Sequence, residues 1–483
     1  MNGAPPHGSE PTSLVVAPGH RTPSIRTAIV LVLVTTLVSG ALLGWTLTSK
    51  PTAGPVCGGP VQADPPTSTP IKHLFLIVKE NHAFENYFGG LPGVTGYPPN
   101  ASLPLTFNGT TYVHPFPLSG TSTPDLPHDA ASSTADYNGG LNNQFVAVAN
   151  AAGASDPQDA AGYYGASQLP GYYAYAANST LGDHFFTGFL GPTLPNRVFD
   201  ITAYAGSWGS DSPPPAIVSQ QPTILDQLNT ARVPWDYDWS FSSFELAPTF
   251  FPSVMSNPCD SGQLAPVSSL ATQLDPVPVN AATPSVVYID PADDLTYSEH
   301  PPENVTLGEE WTVGLVNTIF SSPLANSSAV LIWFDESGGF WDPVPPPLTS
   351  TGRDGFRVPF LVLSPWTPMG KVCSETLDPA SVLRFIDQNW GLPFLDSRVA
   401  NAPDLSCFFN FSSPLRTPLL LESPIHFPGP HGSIGIISSS RRAIVLPNPG
   451  EGTFAAVWRE RPGPSEAFWS SDRSPVRQEV EGS

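Results

Sequence analysis

Three apolar runs, each ending abruptly in a carboxylate or an amide, constrain the fold of this chain more than any other feature. Ile71–Asn81 closes on Glu80-Asn81, Val286–Asp290 closes on Asp290, and Leu331–Asp342 passes from Leu-Ile-Trp-Phe into Asp335-Glu336 and then Gly338-Gly339. Continuous apolar runs of this length are the mark of strands covered on both faces, as in a parallel sheet. Arg357–Pro365 reads as a further strand. Helical patterns alternate with these runs. One helix is predicted near Gly308–Phe320, and another over Pro379–Trp390, with Asp378 as cap and Gly391 as stop. Thr193 reads as the N-cap of a helix from Leu194 to Ile201, and Thr223–Leu228 as a further helix. The alternation predicts an α/β domain with a mainly parallel central sheet and helices on both faces. Residues 245–284 read as loop.

Chemistry in such a sheet collects beyond the carboxyl ends of its strands, where loops aim polar groups into a crevice. Successive strand residues point to opposite faces, so Asp335 and Glu336 converge only where the chain is leaving the strand. Gly338-Gly339 makes that departure easy. Glu80, Asn81, Asp290, Asp335 and Glu336 together offer hard oxygen ligands for a divalent cation, with Mg, Ca or Mn favoured and Zn open if a histidine joins. Thr193 at a positive helix end near that ion would be a nucleophile whose alkoxide the metal stabilises. The plain alternative for Thr193 is a capping residue.

The 483 residues carry a formal charge of −22, and the balance is uneven. Residues 71–412 hold 9 Lys+Arg against 32 Asp+Glu, which excludes a nucleic-acid-binding surface. Residues 1–26 read as a disordered cytoplasmic tail. The 23 positions 27–49 contain no charge and are long enough to span a bilayer, with Arg21 and Arg26 before them and Trp45 near the far end. They read as a transmembrane anchor that leaves the remainder extracytoplasmic; a cleaved signal, and hence secretion, is the alternative. Residues 50–70 read as a Pro/Gly-rich linker, 71–412 as the catalytic domain and 413–483 as a largely disordered tail. Cys57, Cys259, Cys373 and Cys407 contain no C-x-x-C pair, so disulfides fit better than a zinc knuckle, with Cys373–Cys407 first because both flank one predicted helix. Six Asn-x-Ser/Thr sequons permit glycosylation on that side of the membrane.

The ordered series Ile71–Gly89, Gly191–Arg197, Glu299–Pro302, Asp335–Pro347 and Arg357–Pro365 resembles the phosphoesterase family of bacterial-type phospholipases C and acid phosphatases, within the alkaline-phosphatase superfamily. The resemblance spans roughly residues 71–412. It implies an alkaline-phosphatase-like fold, with Glu80, Asn81, Asp335 and Glu336 around a divalent metal and Thr193 as the nucleophile. His300 then serves near the leaving group, and His128 is a second pocket histidine. The implied substrate is a phosphate ester, a phospholipid or a small monoester. Two positions depart from the family pattern: Pro343 follows Asp342 where a histidine is usual, and Pro379 stands where many members carry histidine. A catalytically degenerate binding or scaffold protein on the same fold is the alternative function. A sulfatase-type relative is disfavoured, because Cys-x-Pro-x-Arg is missing.

Overall fold

In the computed structural model of the protein, residues 62–239, 246–257, 262–274, 283–291 and 296–427 are described. The apolar run 27–49, the tail 1–26, Cys57 and Cys259 lie outside them. Among the described residues no helix is long and apolar enough to cross a membrane.

Eight strands form one sheet: β1 (His73–Lys79), β2 (Thr180–Gly182), β3 (Trp235–Trp239), β4 (Gly262–Pro266), β5 (Val286–Asp290), β6 (Ser328–Phe334), β7 (Phe360–Leu363) and β8 (Lys371–Cys373). Their order is β8-β2-β7-β6-β1-β5-β3-β4. All neighbours run parallel except β7, which is antiparallel to both β6 and β2. Every residue of β1 and β6 is buried. Alternate side chains point to opposite faces, so both faces of the sheet must be covered.

The helices that matter for the site are α1 (Phe84–Phe88), α2 (Ala130–Tyr137), α3 (Thr193–Thr202), α4 (Ile224–Ala231), α5 (Val305–Ser321) and α6 (Pro379–Trp390). Tyr288 of β5 donates to the Asp200 carbonyl of α3, and α3 packs against α4 and α6 on that face. Lys79 points the other way, to the Gly308 carbonyl and the Trp311 ring of α5. Helix α6 follows its sequence signals closely: Asp378 accepts from the Ala380 amide, Pro379 is the first helical residue, and Gly391 is left-handed at the stop. Helix α5 begins earlier than its apolar pattern, at Val305, because Asn304 caps it by accepting from Thr306 and Leu307.

The packed unit extends beyond the 71–412 bounds expected from sequence. In the expected linker, Ser68 and Thr69 bond to Gln388 and Asn389 of α6. Past residue 412, Leu421, Ile425 and Phe427 are buried, and Phe427 meets Trp311 edge-on. These apolar residues are spaced too irregularly to show a strand or helix period, so the sequence pattern hid them. The stretch 245–284, read as loop, contributes the edge strand β4, whose alternation is interrupted by Gly262 and Pro266. The expected disulfide is present: Cys373 at the end of β8 is bonded to Cys407.

Candidate active site

Register places the acids. Ile77 of β1 pairs with Ile332 of β6 and with Ile289 of β5, which sets the register of the three parallel strands. Glu80 and Asp335 therefore leave the sheet side by side at its carboxyl edge, and Asp290 ends β5 level with Val78, two residues lower on the same face. Past the strand ends, the Asn81 amide donates to Asp335 Oδ1 at 3.2 Å and the Glu336 amide donates to the same oxygen at 2.8 Å. Gly338, at φ 63°, turns its amide onto Glu336 Oε2 at 2.8 Å. Asn81 is itself left-handed, at φ 63°.

Among the described residues, three buried oxygens at this edge accept no hydrogen bond: Asn81 Oδ1, Asp335 Oδ2 and Glu336 Oε1. Leaving such atoms bare is costly unless a cation takes them. Their chemistry fits a hard divalent ion, and Asn81, Asp335 and Glu336 are the residues that would hold it. Burial, followed by repulsion from Asp335, pushes the Glu336 carboxyl well above its usual range. Burial likewise pushes Glu80 up to about 7, against the pull of Arg197.

Glu80 is turned toward Arg197 of α3. The guanidinium is buried among three acids: Nη1 lies 3.0 Å from Asp290 Oδ1, Nη2 3.4 Å from Glu80 Oε1, and Nε 3.4 Å from Asp335 Oδ2. It also donates to the carbonyls of Val78 and Lys79 at the end of β1, at 2.9 and 3.3 Å. In the sequence Arg197 stands out only as the end of the motif Gly191–Arg197. A signal was available, since it is one of nine basic residues in 71–412 and stands four residues, one helical turn, after Thr193.

Thr193 is not a cap. Pro192 takes the N-cap position, Thr193 is the first residue of α3, and no side-chain cap bond is made there. The Leu194 amide is satisfied instead by Asp211 Oδ1 at 2.9 Å. Asn196 braces the turn by accepting from the Phe189 amide and donating to the carbonyls of Gly191 and Pro192. Arg197, one turn into α3, lies among the strand-end acids while Asp200, a turn further on, meets Tyr288 lower in β5, so α3 starts beyond the carboxyl edge of the sheet. Asp211 sits in a Ser-rich loop that carried no sequence signal.

His128 and His300 meet edge to face with ring centroids 5.7 Å apart. Each Nδ1 sits 2.6 Å from a backbone carbonyl, Leu126 for His128 and Pro301 for His300. A carbonyl only accepts, so Nδ1 carries the proton in both rings and Nε2 is left for the pocket. His128 Nε2 is 3.4 Å from Asn81 Nδ2 and 4.0 Å from Glu336 Oε1. Asp125, His128 and His300 bring ligand atoms within 4.8 Å of one another, a second group able to hold a metal. His300 is fixed from beneath. Glu299, at φ 75° and fully buried, pairs with Lys79 at 3.1 Å and accepts from the Tyr87 and Tyr172 hydroxyls.

The structure thus brings together Asn81, Asp335, Glu336, His128 and His300. It sets Glu80 behind them on Arg197, and starts α3 with Thr193 on the same side. Of the two departures, Pro343 is half-buried and follows Asp342, which is buried against the Arg357 that also holds Glu85, and Pro379 is the buried first residue of α6. Trp333, Phe340 and Trp341 are buried packing residues.

A mainly parallel α/β sheet with acids at three adjacent strand ends, a bare oxygen triad among them and a hydroxyl residue opening the next helix defines a polar site at the carboxyl edge of the sheet, where carboxylate and amide oxygens could hold a cation. The chain belongs to the Phosphoesterase family, whose model matches residues 71–393. It is 26% identical over 459 residues to the non-hemolytic phospholipase C of Pseudomonas aeruginosa, covering 81% of this chain but only 64% of that protein. It is also 26% identical over 419 residues to phospholipase C B of Mycobacterium tuberculosis, covering 72% of this chain and 79% of that protein. Among solved structures, the phosphonate monoester hydrolase of Agrobacterium radiobacter is similar over 71% of this chain and 78% of its own, with 10% identity and a TM-score of 0.34.

Proposed function

We propose that this protein is a divalent-metal-dependent hydrolase of phosphate esters, of the phospholipase C type, with Thr193 as nucleophile. The observation that carries this reading is the triad of buried, undonated oxygens on Asn81, Asp335 and Glu336 on the side from which α3 starts. When bound, a divalent ion there stabilises the threonine alkoxide and offsets charge on the phosphate oxygens. Thr193 Oγ gives up its proton to solvent and attacks phosphorus in line, forming a P–O bond as the bond to the alcohol oxygen breaks. His300, as imidazolium, gives its Nε2 proton to the departing alcohol, while its Nδ1–H stays on the Pro301 carbonyl. Water then cleaves the phosphothreonine and returns the hydroxyl. His128, within reach of Asn81 and Glu336, orients that pair.

Relatives named as phospholipases C support a phosphodiester with a lipid alcohol over a small monoester. The Cys373–Cys407 disulfide supports an oxidising, extracytoplasmic setting, with residues 27–49 as the anchor.

The test is turnover of p-nitrophenyl phosphorylcholine and p-nitrophenyl phosphate, with and without chelator. Metal-dependent turnover of the diester is expected, and Thr193→Ala should bring it to background while the circular dichroism spectrum is unchanged. Turnover that survives Thr193→Ala would overturn the nucleophile. Absence of turnover on both substrates, with no metal bound, would favour the binding-scaffold alternative.

A further inference from the structure

We propose that Arg197 is a positioning residue that fills one of two cation positions in the acid cluster, so that the cradle takes a single divalent ion. The inference rests on the metal reading above and goes beyond it. Three carboxylates from three different strand ends surround the guanidinium at 3.0–3.4 Å, an arrangement of acids about one point that ordinarily holds a metal. A guanidinium does not lose its charge, and its planar fork can meet several acceptors at once. Arg197 does so here while also holding the last two carbonyls of β1.

The acids divide accordingly. Asp290 is committed to Arg197 through Oδ1 and to the Tyr237 hydroxyl through Oδ2, at 3.0 and 3.1 Å. Glu80 also faces Arg197. Asn81 Oδ1 and Glu336 Oε1 face no donor, and Asp335 stands between the two groups, with Oδ2 toward Arg197 Nε yet accepting no hydrogen bond. One ion therefore belongs at the Asn81/Asp335/Glu336 end. Residues one turn apart share a helix face, so the same guanidinium that braces Asp335 also fixes where α3 presents Thr193.

Mn2+ binding to the full chain, followed by equilibrium dialysis and electron paramagnetic resonance, tests this. The wild type is expected to bind one ion. Asp290→Asn should keep that ion with affinity within about tenfold, the lower end of what losing an outer residue costs, whereas Asp335→Asn should abolish saturable binding. Arg197→Met should take up a second equivalent in the acid-lined space it opens. Two ions in the wild type, an Asp290→Asn variant that loses Mn2+ as Asp335→Asn does, or a folded Arg197→Met variant that still binds one ion would each overturn the assignment. The Asp290 and Asp335 variants decide the matter alone if Arg197→Met fails to fold. A wild type that binds no Mn2+ would instead sink the metal reading itself, and this proposal with it.

Discussion

Gly338→Ala tests whether the turn after β6 is built to place Asn81. A β-carbon at Gly338 would stand 2.8 Å from the Asn81 carbonyl carbon and 3.0 Å from its Cβ, and closer still to its carbonyl oxygen. These neighbours are mostly backbone, held by the Asn81 amide on Asp335 and by the end of β1, so no side-chain rotation relieves the clash. Two costs add. The left-handed conformation at φ 63° costs an alanine roughly 1–2 kcal/mol. Overpacking against fixed neighbours costs roughly 1–3 kcal/mol more. The turn and Asn81 must separate by on the order of 1 Å, a displacement that lowers turnover about 10²-fold when it falls on a positioning group. Gly391→Ala is the control: φ is 64° and nothing lies within 4 Å of its added carbon, so it should lose roughly 1–2 kcal/mol of stability and no activity. Urea denaturation and steady-state turnover of p-nitrophenyl phosphorylcholine measure both quantities. Wild-type kcat in Gly338→Ala, or an equal loss of kcat in Gly391→Ala, would refute the reasoning.

Three further outcomes are expected. His300→Asn should slow hydrolysis of phosphatidylcholine by about 10²–10⁴-fold but barely affect p-nitrophenyl phosphorylcholine, because p-nitrophenolate leaves without a proton; equal losses on both would remove the acid role. Serine at both Cys373 and Cys407, 34 residues apart, should cost about 4 kcal/mol by loop closure, read as a lower urea midpoint; an unchanged midpoint would count against it. Burial raises Asp387 to about 7, so the native state holds this proton more tightly than the unfolded chain, and stability is lost as pH rises from about 4 to about 7. Asp387→Asn should match the wild type in unfolding free energy by urea denaturation at pH 4 and exceed it at pH 8 by about 1–4 kcal/mol; parallel profiles would disprove the titration.

The sequence by itself determined the elements that carry the site. Uninterrupted apolar runs at 74–78, 286–289 and 329–334 become the centres of buried parallel strands, because full burial on both faces admits no polar alternation. Local chemistry likewise fixed the ends of α6, where a capping aspartate, a first-turn proline and a left-handed glycine act within a few residues. Family motifs singled out Glu80, Asn81, Thr193, His300, Asp335 and Glu336 as residues, without their arrangement.

Tertiary structure decided that arrangement. Strand register set Glu80 level with Asp335 and Asp290 two residues below them on the same face, and no local pattern encodes how Glu80 meets acids more than 200 positions away. Helix packing brought Arg197 among those acids and Asp211 to the first turn of α3, replacing the expected threonine cap. A buried ion pair depends on which elements meet, and a lone arginine in a helix carries no mark of its partners. The division between acids that grip a guanidinium and oxygens left for a metal therefore exists only in the folded protein.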